Sequence, residues 1–79
     1  MTREAELEEE SRKVRRLQVV VGLVLNTLWQ SDMPVEEAAQ LVADTRRFAL
    51  DLFPDKGDTY DLIYAPRFRR LMVEKYRVI

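Results

Sequence analysis

The sequence predicts an all-α protein: a small three-to-four-helix bundle with a long N-terminal helix, completed by self-association. Three observations carry this. Leu17 to Ser31 is fifteen consecutive residues without a charge in a chain that is 34% charged. Apolar residues within that run recur at helical spacing. Proline and glycine divide the remainder into helix-length segments, and none offers a strand to pair with the valine-rich stretch.

The first helix organises the chain. Leu17, Val21, Val24, Leu25 and Leu28 fall at i, i+4, i+7, i+8 and i+11, which is one helix face. Val19, Val20 and Leu23 fall on others, so the helix is apolar nearly all round and has to be enclosed by other elements or by another chain. Val19 to Val24 is β-branched enough for a buried strand. The helical spacing nevertheless persists back to Val14 and forward to Leu28, which a strand would not need. Arg12, Lys13, Arg15 and Arg16 before an apolar run resemble a signal anchor. A span needs about 20 apolar residues; this run is shorter and carries Gln18, Asn26 and Gln30. Ten largely acidic residues come first and no small-residue cleavage site follows, so no membrane span is expected.

Thr2 suits the N-cap, with Glu4 and Glu6 near the positive end of the helix dipole. Glu8 with Arg12 and Glu9 with Lys13 form i,i+4 pairs, each contributing ~0.2–0.5 kcal/mol. Read as heptads, Leu7, Val14, Val21 and Leu28 share one core position, while Leu17 and Val24 share the other, interrupted by Glu10. A helix from about Thr2 to Gln30 is ~42 Å long, whereas a compact globule of this chain length is ~30 Å across. Residues 1–12 therefore either fray or extend as a helical arm along a second copy. Gly22, mid-helix at a cost of ~1 kcal/mol against Ala, suggests a close helix crossing.

Ser31-Asp32-Met33-Pro34 ends this helix. Asp32 or Met33 is the expected N-cap of the next, with Pro34 in the first turn where its missing N–H costs nothing, and Glu36 and Glu37 following. The second helix runs to about Phe53 on Val35, Ala38, Ala39, Val42, Ala49 and Leu52, widened by Leu41 and Phe48. Ala38 and Ala39 allow close approach to a neighbour. Pro54 stops it, and Asp55 to Asp58 is turn chemistry. Asp58 or Thr59 caps a short helix through Tyr60, Leu62, Ile63 and Tyr64. Pro66 disfavours helix at Ala65, so a break or kink is expected there. A last helix runs to about Arg77, with Phe68, Leu71, Met72 and Ile79 inside and Arg67, Arg70, Glu74 and Arg77 outside.

Seventy-nine residues make one domain, 1–79. A domain of this size hides only ~60% of its unfolded surface, and small domains recover the deficit with disulfides, metals or oligomerisation. The chain has no Cys and no His, which removes disulfides, thiol catalysis and most transition-metal sites. Oligomerisation remains. A net charge of −1 gives no global pull towards nucleic acid or anionic membrane. The absence of Cys and of a signal sequence fits a cytoplasmic protein.

Each candidate site has a simpler competitor. Asp55, Asp58 and Asp61 lack the alternating ligands and closing Glu of a calcium loop, so turn and capping roles are expected and no cofactor or metal. Arg67, Arg69, Arg70, Lys75 and Arg77, interleaved with Tyr60, Tyr64, Phe68 and Tyr76, suit a phosphate-contacting surface with stacking rings. A solvated face over a core that needs those aromatics is the simpler and favoured explanation. A helix-turn-helix over Leu17 to Phe53 is rejected, because Glu36 and Glu37 would meet phosphates with the wrong sign. Trp29 is expected to close the core with its N–H on a carbonyl, or else to anchor a partner. No nucleophile-and-base pair and no glycine-rich phosphate loop is present, so catalysis is not expected.

Two functions follow. The first is a non-enzymatic interaction or structural module that self-associates, as a dimer above all, through Leu17, Val20, Val21, Leu23, Val24 and Leu28. Another protein is a further candidate partner. The alternative is a small nucleic-acid-binding protein using Trp29 and the basic-aromatic C-terminal helix, the weaker expectation given the charge balance.

Overall fold

The computed structural model describes residues 2–77 and contains four helices and, among those residues, no strand. They are α1 (Arg3–Gln30), α2 (Val35–Leu52), α3 (Gly57–Ile63) and α4 (Ala65–Tyr76). The all-α expectation holds. The Thr2 hydroxyl accepts from the Ala5 N–H at 3.3 Å and starts α1 where its capping chemistry predicted. Ile79, expected on the inner side of the last helix, lies outside the described residues.

Local starts differ from expectation in two places. Pro34, not Asp32 or Met33, is the N-cap of α2, and its carbonyl accepts from the Ala38 N–H at 3.0 Å. The Met33 carbonyl, which a helix capped at Met33 would need for its first turn, is taken by the Tyr76 hydroxyl at 2.8 Å. Lys56, not Asp58 or Thr59, precedes α3, and its carbonyl accepts from the Tyr60 N–H at 3.0 Å. The break before Pro66 falls at Tyr64, one residue earlier than Ala65. Pro66 then lies in the first turn of α4, where no intrahelical donor is lost.

One stripe of α1 is the floor of the core. Leu17, Val21 and Leu28 are buried there with Ala38 and Ala49 of α2, Tyr60 of α3, and Phe68 and Leu71 of α4. Thr45, also buried, returns its hydroxyl to the Leu41 carbonyl at 2.8 Å, so its polar group is satisfied within the helix. The Arg46 guanidinium donates to both Asp61 carboxylate oxygens, at 2.9 and 3.1 Å, and ties α2 to α3. That pairing gives Asp61 a structural partner and holds its carboxyl below the usual carboxylate range.

The C-terminus of α1 has no basic residue in its last turn, and the bundle supplies one from elsewhere. The Lys75 ammonium of α4 donates to the carbonyls of Leu28 and Ser31. These lie at the negative end of α1, where carbonyls have no helical donor and a cation is favoured. With Tyr76 on Met33, consecutive residues of α4 clamp the corner between α1 and α2.

The enclosure of α1 is one-sided, because the other helices pack against the face of Leu17, Val21 and Leu28. Val19 is 55% and Leu23 60% exposed. Gly22 has no atom within 4 Å of where a Cβ would sit, so it marks no close helix crossing. Gly22→Ala should therefore raise stability by about 1 kcal/mol, the ordinary helix-interior difference, read from urea melts.

Lys75→Met should lower stability by about 2 kcal/mol in the same assay, since it strips a charged donor from two helix-end carbonyls. Lys56→Met, at an exposed residue, should stay within about 0.5 kcal/mol.

The Tyr60 hydroxyl is buried without a hydrogen-bond partner among the described residues. Burial pushes its pKa above the ordinary 10.0, against the opposing pull of Arg46. A raised folded-state pKa gives stability that is complete below the unfolded value and is lost as pH climbs towards the folded one. Tyr60→Phe should thus leave stability at pH 7 unchanged or higher, and flatten its decline above about pH 10 in melts across pH.

Candidate interaction surface

The structure separates the residues assigned to self-association. Leu17, Val21 and Leu28 are 5%, 1% and 0% exposed within the chain's own core, so they present no surface to a partner. They look inward because the one face carrying all three is the face α2 and α4 cover. Val24 packs against the same core and Val20 is partly buried. Of the six, Leu23 alone is fully outward. With Val19 it forms a small apolar spot flanked by Arg16, Asn26 and Gln30 on one helix face.

A second apolar surface was not singled out from the sequence, although the heptad reading contained its residues. Leu7 and Val14 occupy the same helical position as Val21 and Leu28 but are 56% and 39% exposed. The far end of α2, at Leu52 and Phe53, lies beside Glu6 to Lys13 of α1, and nothing continues the enclosure beyond it. Helix α2 is 18 residues long against 28 for α1, or ~27 Å against ~42 Å. The core stripe of α1 therefore runs out past the core. The molecule is correspondingly long, 48 × 22 × 15 Å. From Val14 the stripe leads into a groove of about 250 Å³ between α1 and α3, whose apolar walls include Leu17, Phe53, Ile63 and Tyr64. Ile63 is 49% exposed at its edge.

Trp29 does not close the core. It is half exposed and makes no hydrogen bond among the described residues, and Leu28 fills the end of the core in its place. Its ring is therefore available on the surface beside the α1–α2 corner.

The basic C-terminal face is smaller than its sequence suggests. Lys75 is turned inward onto the carbonyls of α1 and leaves that surface. Arg67 lies 5.8 Å from the centre of the Tyr64 ring, and Arg69 and Arg70 are exposed. Arg77 is the C-cap of α4 in the left-handed conformation. Glu74, one turn beyond Arg70, places an acid on the same side of α4.

A shallower depression of about 350 Å³ lies between α2 and α4, over Ala39, Val42, Ala43, Phe68 and Met72, where the two alanines leave room. Ala38 is fully buried at the helix contact, whereas Ala39 faces this depression. Among the described residues, no helix is long and apolar enough to cross a membrane, and no three acidic side chains gather to hold a metal ion. No protein-family model, curated protein or solved structure matches the chain, so the meaning of these surfaces rests on their own geometry.

Proposed function

We propose that the protein is a non-catalytic helical interaction module that associates with itself through the uncovered part of α1. The observation that supports this most is the continuation of one apolar position from buried Val21 and Leu28 to exposed Val14 and Leu7. A second copy is an occupant that carries the matching stripe. Moving a half-exposed Leu or Val into an interface contributes roughly 1 kcal/mol. A few such residues on each copy suit a weak, concentration-dependent dimer rather than an obligate one. The absence of His and Cys from the sequence is consistent with a binding rather than a catalytic role.

Light scattering coupled to gel filtration tests this from about 10 μM to about 1 mM, a range corresponding to roughly −7 to −4 kcal/mol of association. The weight-average mass should climb from the 9.4 kDa of one chain towards twice that value. A mass fixed at one chain across the whole range refutes self-association.

A further inference from the structure

We infer that the dimer pairs the N-terminal overhangs of α1 in antiparallel orientation, with Leu7 of each copy against Val14 of the other. This rests on self-association as proposed above and assigns its surface, register and direction.

Charge is the main support. Five glutamates and Arg3 give residues 3–10 a net charge of −4, while Arg12, Lys13, Arg15 and Arg16 give residues 11–16 a net charge of +4. A parallel pair lays like on like. An antiparallel pair lays each block on its opposite, and like charges in register would oppose association.

The apolar residues fix the register. Leu7 beside Val14 places the two-fold axis between Glu10 and Ser11, so that residue numbers at one level add to 21. In an antiparallel pair related by this axis, equivalent flanks of the two helices face each other. Glu4, Glu8 and Arg15 lie on one such flank, because their spacings return them to the same side of the helix. Arg15 then sits at the level midway between Glu4 and Glu8 of the second copy.

The single chain leaves two of those charges, Arg15 and Glu4, without an opposite charge at helical spacing, whereas Glu8 has Arg12 four residues on. Arg15 has Ser11, Arg12, Gln18 and Val19 at its three- and four-residue spacings and meets no acid there. Glu4 meets Leu7 and Glu8, the latter a like charge. Among the described residues the ion pair in this segment is Lys13 with Glu9, at 4.0 Å. On the other flank of Val14 stands Ile63, at the edge of the groove. The second copy's overhang thus supplies a helical neighbour to α1 beside α3, where the chain has none of its own. The Val19–Leu23 spot offers no comparable charge match, since the charged residues at helical spacing from it, Arg15 and Arg16, are both basic.

The native chain has no cysteine, so single substitutions report direction by oxidative cross-linking. Ser11→Cys, beside the two-fold axis, should form a disulfide-linked dimer. Glu4→Cys should not, since in this register the two copies of residue 4 are ~20 Å apart along the helices. Arg15→Glu should weaken dimerisation roughly tenfold or more in sedimentation equilibrium, and Glu4→Arg with Glu8→Arg in the same chain should restore it to within about threefold. All these residues are exposed, and circular dichroism of each variant should match the native spectrum. A native chain that stays monomeric overturns self-association and this register together. A native dimer in which Glu4→Cys links to itself, Ser11→Cys does not, or Arg15→Glu has no effect leaves self-association standing and overturns the overhang pairing.

Discussion

The structure depends on a mismatch of helix lengths. A 28-residue helix carries a near-continuous apolar stripe, and the longest helix returning along it has 18 residues. Tertiary packing of an amphipathic face, rather than intrinsic propensity, provides most helix stability in proteins. The C-terminal half of α1 is held in that way and its first turns are not. Those first turns rely on the Thr2 cap, acids near the positive dipole end and the Glu9–Lys13 pair, contributions of a few tenths to about 1 kcal/mol each. The stripe itself continues through Val14 to Leu7 regardless.

At the other end the constraint is met by polar contacts. The corner from Leu28 to Met33 exposes carbonyls that neither α1 nor α2 can satisfy. Lys75 and Tyr76, adjacent on α4, answer three of them. Because α4 also carries Phe68 and Leu71 into the core, one helix both seals the apolar floor and closes the polar corner. Its own C-terminus ends in the left-handed turn at Arg77.

Element boundaries and the core were largely legible in the sequence, because caps, prolines and the 3.6-residue repeat are local signals. Phe68, Leu71, Leu28 and Ala38 could be placed inside on that basis. The enclosed side of α1 was legible as the face of Leu17, Val21, Val24, Leu25 and Leu28, which is the face packed into the core; that its other sides stay open was not, since an all-round apolar helix calls for enclosure on every side. Trp29 and Leu23 accordingly lie outside where enclosure was expected, and Gly22 faces open space. Lys75 shows the same limit from the polar side. Its sequence neighbours make it one of a basic cluster, and only the arrival of α1's last carbonyls gives it an inward role. The α2 start at Pro34 is accompanied by another contact distant in sequence, the Tyr76 hydroxyl on the Met33 carbonyl forty-three residues away.

The clamp has a chemical consequence. The chain has three lysines, and they stand in unlike surroundings: Lys56 is exposed, Lys13 partly so in its pair with Glu9, and Lys75 engaged with two carbonyls. Acylation requires an amine nitrogen open to attack. At Lys75 the nitrogen is held on the Leu28 and Ser31 carbonyls and comes free when the end of α4 leaves the corner. A modified Lys75 could no longer bring an ammonium to the end of α1, so acylation there would trap the parted arrangement rather than merely mark it. The reactivity of one amine thereby reports how often the end of α4 parts from the end of α1.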